Sequence, residues 1–98
     1  MAKGYWVVSL EVTNPEAYRA YQEFVRPFLA ANDGRFLIRG GQQDVVEGAM
    51  KPRVVVIEFP SYEQASRVYH SEAYQNGLKL RLGASTADFA IVEGFDAP

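Results

Sequence analysis

The chain is predicted to fold as an α+β domain, a four-stranded antiparallel sheet with its helices on one face, and three observations predict it. The run RVVVIEF at 53–59 is β-branched, short and bounded by Pro52 and Pro60, so it reads as a strand. Its alternate positions, Val55, Ile57 and Phe59 against Val54, Val56 and Glu58, make both faces largely apolar, as in the middle of a sheet covered on each side. The third observation is the order of periodic segments, which runs strand, helix, strand, strand, helix, strand.

Taken in order, residues 5–12 form the first strand, with Trp6, Val8, Leu10 and Val12 on one face and Tyr5, Val7, Ser9 and Glu11 on the other. Asn14 is a helix N-cap, Pro15 takes the first helical position and Glu16 complements the dipole. Ala17, Tyr21, Phe24 and Phe28 give that helix its apolar stripe. Pro27 removes a bond to the carbonyl of Glu23, so a bend or an early stop is expected near Arg26. Residues 35–39 form a second strand, with Phe36 and Ile38 opposing Arg35, Leu37 and Arg39. Gly40-Gly41 marks a bulge or bend beyond which 42–47 continue the strand. A turn over 47–52 then leads into the strand at 53–59.

Ser61 and Gln64 stand in the spacing of a capping box, which starts a helix over 62–70 with Ala65, Val68 and Tyr69 inward. Ser71 caps a further short helix carrying Tyr74, Leu78 and Leu82 as far as Gly83, weakened in its middle by Gly77. The last strand spans 86–93, Phe89 and Ile91 opposing Asp88, Ala90 and Val92, and 96–98 form a tail. This order matches the split βαβ arrangement of ferredoxin-like domains, in which the first and third strands are central and right-handed crossovers put both helices on one face.

That topology leaves the second face of the sheet bare. It carries Tyr5, Val7, Leu37, Val54, Val56, Ala90 and Val92, and an apolar patch of this kind marks a partner surface. Burial at about 1.5–3 kcal/mol per large side chain would stabilise a complex, and two-fold self-pairing is the simplest way to achieve it. A homodimer through the sheet face is therefore expected.

Composition narrows the function classes. The chain has 98 residues, one domain by length, with 48% hydrophobic and 13% aromatic residues, as in a packed globular protein. A net charge of −2 with pI near 5.3 offers no basic footprint, so neither nucleic acid nor a membrane surface is an expected partner. With no cysteine, thiol nucleophiles, disulfides and Cys-based zinc sites are excluded. No apolar signal core opens the sequence, and the expected location is cytoplasmic.

The residues Arg39-Gly40-Gly41, the Glu47-Gly48 turn, Ile57-Glu58-Phe59-Pro60, the segment between Tyr69 and Tyr74, Arg81 and Glu93-Gly94 together resemble the domain of unknown function 1330 family. The resemblance spans most of the chain. It implies the dimeric α/β-barrel superfamily, in which two ferredoxin-like subunits pack sheet against sheet. Val68 stands where that family tends to have tryptophan, and Ser71-Glu72-Ala73-Tyr74 replaces its Ser-Pro-Glu-Tyr stretch. Related barrels include monooxygenases, haem-handling enzymes and lactone isomerases, a breadth that names no reaction.

Candidate site residues follow from strand parity and residue chemistry. Ser9, Glu11, Arg39, Glu58 and Asp88 fall on the mixed sheet face among aliphatic neighbours. Glu58, on a central strand, is a candidate general acid, base or ligand anchor, or else half of a structural ion pair with Arg39 or Arg53. Arg39 and Arg81 could hold a carboxylate bidentately, or form an interface ion pair or a solvated edge. His70 is the one histidine, a candidate catalyst if a cavity and a partner such as Glu72 adjoin it, and otherwise a complement to a helix dipole. Tyr69 and Tyr74 offer phenol donors to a pocket wall, or amphipathic core.

Ser9, Arg39, Tyr69, Tyr74 and Arg81 are thus the candidate ligand-binding residues, with Glu58 and His70 as candidate catalysts. Gly40-Gly41 lacks the Lys-Ser/Thr of a phosphate loop, and neither metal nor cofactor is expected. The expected function is binding or transformation of a small, partly apolar organic acid near the sheet. The alternatives are a non-catalytic dimeric module and a cofactor-free or haem-handling monooxygenase.

Overall fold

A computed structural model describes residues 2–96. Seven elements follow one another: β1 (Gly4–Val12), α1 (Pro15–Ala31), β2 (Arg35–Arg39), β3 (Arg53–Phe59), α2 (Tyr62–His70), α3 (Glu72–Leu82) and β4 (Ser85–Glu93). The strands form one antiparallel sheet in the order β2-β3-β1-β4, the ferredoxin-like arrangement with the first and third strands central. Met1, Ala97 and Pro98 lie outside the described residues, and with them most of the expected tail. Among the described residues no helix is long and apolar enough to cross a membrane.

The helix-covered face is the core. Trp6, Leu10, Leu29, Phe59 and Tyr74 are its largest fully buried side chains. Trp6 is anchored at both ends of its chemistry. Its ring packs against Phe59, Tyr74 and Phe89 with centroids 5.0, 4.9 and 5.3 Å away, and its indole N–H donates to the carbonyl of Ala65 at 2.8 Å. That bond ties β1 to α2 and satisfies the polar atom that burial would otherwise strand.

The helices start as the caps dictate. The side chain of Asn14 accepts from the N–H of Ala17, Ser61 from Gln64, and Ser71 both closes α2 and accepts from Tyr74 at the start of α3. The reciprocal half of the capping box is diverted, because the Gln64 amide donates instead to the carbonyl of Asn32 at 2.8 Å.

Four expectations are corrected. First, α1 runs through Pro27 to Ala31. The face carrying Glu23 and Pro27 is exposed, so water can satisfy the carbonyl of Glu23, while Tyr18, Tyr21, Val25 and Leu29 hold both halves of the helix to the core. Second, residues 42–47 form no strand, since Gly40 turns into the left-handed region at φ 67° and leaves the ladder.

Third, α3 turns Arg81 rather than Leu82 inward, leaving Leu82 64% exposed. Fourth, a bulge in β2 at position 37 reverses side-chain parity. Phe36 pairs with Ile57 but Ile38 pairs with Val56 and Arg39 with Val55. Ile38 therefore joins the open face of the sheet, and Arg39 joins the helix-covered face.

Candidate functional site: an arginine-lined cavity under α1

At the backbone level α1 approaches α3 far more than any strand. Side chains from α1 and the sheet, among them Tyr18, Tyr21, Val25, Trp6 and Phe36, pack together beneath the helix. A cavity of about 40 Å³ remains there, floored by Val8 and Val55 and walled by Trp6, Tyr21, Phe36 and Phe89. At roughly 10–15 Å³ per water that volume holds about three waters, and because the cavity is open at its rim a larger ligand can extend outward from it.

Four arginines converge on this apolar space: Arg26 from α1, Arg39 from β2, Arg53 from β3 and Arg81 from α3. No acidic side chain among the described residues lines it. The arginines differ in depth. Arg81 is only 7% exposed, Arg53 is half-buried, and Arg26 and Arg39 stand exposed at the rim.

Three of them, Arg39, Arg53 and Arg81, are held by shape more than by counter-charge. The Arg81 guanidinium lies over the rings of Tyr21 at 5.6 Å and Phe89 at 5.4 Å, and that of Arg39 lies over Phe36 at 5.4 Å. The Arg53 guanidinium packs against Gly40, into space that a side chain at position 40 would fill. The Nε atoms of Arg53 and Arg81 are both buried without an acceptor among the described residues. Such orphaned donors are costly, and an anion is their natural complement.

Behind Arg81 the hydroxyls of Tyr21 and Tyr74 share a hydrogen bond of 2.8 Å. Burial, followed by the neighbouring Tyr74, pushes the Tyr21 phenol well above its ordinary range. Burial also raises Tyr74, against the opposing hydrogen bond from Tyr21 and the nearby Arg81 charge. For Arg81 itself burial works against the charge, but the oxygens of Tyr74 and Tyr21 outweigh it and hold the guanidinium cationic. Neutral phenols beside a fixed cation leave a net positive pocket.

Other expected site residues lie elsewhere. Glu58 points to the open face, where it pairs with Arg35 at 3.2 Å and accepts from the Tyr5 hydroxyl at 3.1 Å, so neither Arg39 nor Arg53 is its partner. Ser9 is on the same face and accepts from the backbone N–H of Lys51 at 3.0 Å, beside the Lys51–Asp88 ion pair. His70 is exposed, and its Nδ1 lies 2.9 Å from the carbonyl of Ser66, to which it donates. Tyr69 backs the cavity wall through Trp6 and Phe89, with ring centroids 5.9 and 5.0 Å away. Of the candidates, Arg39 and Arg81 line the cavity and Tyr74 reaches it through Tyr21.

Four polar lining groups escaped sequence reasoning: Gln22, Arg26, Arg53 and Tyr21 in its polar role. A signal did exist against the inward placement of Leu82, because stepping seven from Tyr74 lands on Arg81, which the helical repeat places inward.

Residues 3–95 match the family described as domain of unknown function 1330, DUF1330. The chain belongs to this family. Several residues that carry the DUF1330 resemblance meet at the cavity: Arg39 and Arg81 line it, and Gly40 seats Arg53. Val68, at the position where DUF1330 chains tend to have tryptophan, is buried in the core.

No curated protein matches the DUF1330 chain. Solved structures do. A protein of unknown function from Rhodopseudomonas palustris superposes with a TM-score of 0.75 at 15% identity, covering 98% of this chain and 85% of that one. SnoaB, a cofactor-independent oxygenase from Streptomyces nogalater, superposes with a TM-score of 0.65 at 11% identity, over 99% and 97% of the two chains. A nipsnap family protein with unknown function from Agrobacterium tumefaciens gives 0.54 at 15% identity, over 98% and 92%. At these identities the likeness is one of fold.

Proposed function

We propose that this DUF1330 chain works as a homodimer that binds a small, partly apolar organic acid in the cavity between α1 and the sheet. One observation carries the reading: four arginines surround an apolar cavity that no carboxylate of the described residues neutralises. A bound carboxylate supplies the missing charge, engages the orphaned Nε of Arg81, and gains from a low-dielectric surround that strengthens charge-assisted bonds. The aromatic wall accepts the apolar remainder.

The dimer reading rests on the open face of the sheet, where Val7, Leu37, Ile38 and Val92 are between 39% and 47% exposed. The Glu58–Arg35 and Lys51–Asp88 pairs on that face suit a role in setting register between subunits. On this division the open-face polar residues serve structure and the arginines serve the ligand.

Native mass spectrometry of freshly purified protein tests both halves at once, reporting subunit number and any co-purifying acid. Thermal unfolding with added short carboxylic acids completes it, with a rise of a few degrees expected near saturation. A monomer at micromolar concentration ends the dimer reading, and melting indifferent to every acid ends the ligand reading.

A second reading, oxygenation of an electron-rich phenol without a cofactor, is favoured by the apolar wall and by the indole of Trp6 within it. SnoaB, which shares the fold, is named for that class of chemistry. Absence of oxygen uptake with candidate phenols disposes of it.

A further inference from the structure

The arginines are not clustered at one point of the cavity. Across the sheet, Arg39 on β2, Val55 on β3, Val8 on β1 and Phe89 on β4 stand in one row of paired residues. Three strand spacings separate the ends of that row, about 14 Å between backbones. One end carries Arg39, with Arg53 beside it on β3. The other carries Phe89, over which the guanidinium of Arg81 is stacked at 5.4 Å. Between them Val8 and Val55 make a floor without polar side chains.

Cations thus stand at both ends of an apolar strip, and each end holds a buried Nε without an acceptor among the described residues, Arg53 at one and Arg81 at the other. A single carboxylate can satisfy only one of them. Leaving the second orphaned keeps both its desolvation penalty and the mutual repulsion of like charges.

Resting on the acid-binding reading above, the geometry points to a ligand with two anionic groups at opposite ends of a short apolar body, a dicarboxylate being the simplest member. One carboxylate engages Arg81 and the adjacent Tyr21 hydroxyl. The other engages Arg53 and Arg39. The exposed rim formed by Arg26 and Arg39 admits the ligand, with the buried Arg81 end seated deepest. Discrimination is built in: a monoacid of equal length leaves one orphan, while a dication or neutral analogue meets only repulsion or unpaired donors.

Isothermal titration calorimetry at fixed ionic strength, with a series of α,ω-dicarboxylates of increasing chain length and the monocarboxylates of matched carbon number, tests this. One dicarboxylate length is expected to bind about tenfold or more tighter than its monocarboxylate partner, the contribution of one charge-assisted contact. Arg53→Gln should abolish that advantage, weakening dicarboxylate binding more than monocarboxylate binding. Arg81→Gln should weaken both series. Should that buried variant fail to fold, Arg39→Gln at the rim is expected to erode the dicarboxylate advantage.

Equal affinity of the wild-type protein for mono- and dicarboxylates at every length overturns the two-ended site while the acid-binding reading stands. Failure of every acid to bind overturns both.

Discussion

The hydroxyl oxygens of Tyr21 and Tyr74 lie 2.8 Å apart in the buried core, although 53 positions separate them in sequence. The bond joins α1 to α3 on the side of the cavity where Arg81 is held. It also makes the fold sensitive to alkali. Both phenols have raised pKa values in the folded state, chiefly through burial, against about 10 in an unfolded chain. Above that pH the unfolded chain loses protons that the folded chain keeps. Their contribution is therefore complete below about pH 10 and falls above it, by about 1.4 kcal/mol per pH unit per phenol. Urea unfolding across this range should show the decline, and Tyr21→Phe should make it shallower; an unchanged slope refutes the assignment.

Gly77→Ala should destabilise the protein, against the usual helical preference. In an open helix the change gains about 0.5–1 kcal/mol. Here an added Cβ enters the space of the Phe24 ring, which packs α1 on α3. Overpacking of this kind costs about 1–3 kcal/mol, so a net loss of about 1–2 kcal/mol is expected from chemical denaturation. Gly83→Ala, where a Cβ meets nothing within 4 Å, is the control and should be near neutral.

Gly40 and Gly48 make a matched pair. Both have positive φ, 67° and 76°, so alanine at either costs about 1–2 kcal/mol of backbone strain. At position 48 the Cβ points into open space, whereas at 40 it displaces the Arg53 guanidinium. Gly40→Ala should weaken acid binding and Gly48→Ala should not, at similar losses of stability. Calorimetry of the two variants side by side decides it.

Glu58→Gln should leave acid binding unchanged, because Glu58 faces away from the arginine cavity. Its partner Arg35 has a side chain 73% exposed, so the ion pair is worth about 1 kcal/mol or less. The expected effect is a small shift in unfolding midpoint with calorimetric affinity preserved. A large loss of affinity would move the site to the other face of the sheet.

Periodicity and capping chemistry alone determined the elements of this protein. Alternation placed Trp6, Val8, Leu10, Val55, Ile57 and Phe59 on one face, and Asn14, Ser61 and Ser71 announced the helix starts, because these are local preferences written within a few residues of one another. Tertiary structure decided what those elements carry. The bulge in β2 that sends Arg39 to the helix side depends on pairing with β3, and the stacking of the Arg81 guanidinium depends on the ring of Phe89 from β4. The cavity is lined by side chains of α1, α3 and all four strands. Contacts between distant segments set these positions, so no window of neighbouring residues could reveal that four arginines would share one unneutralised space.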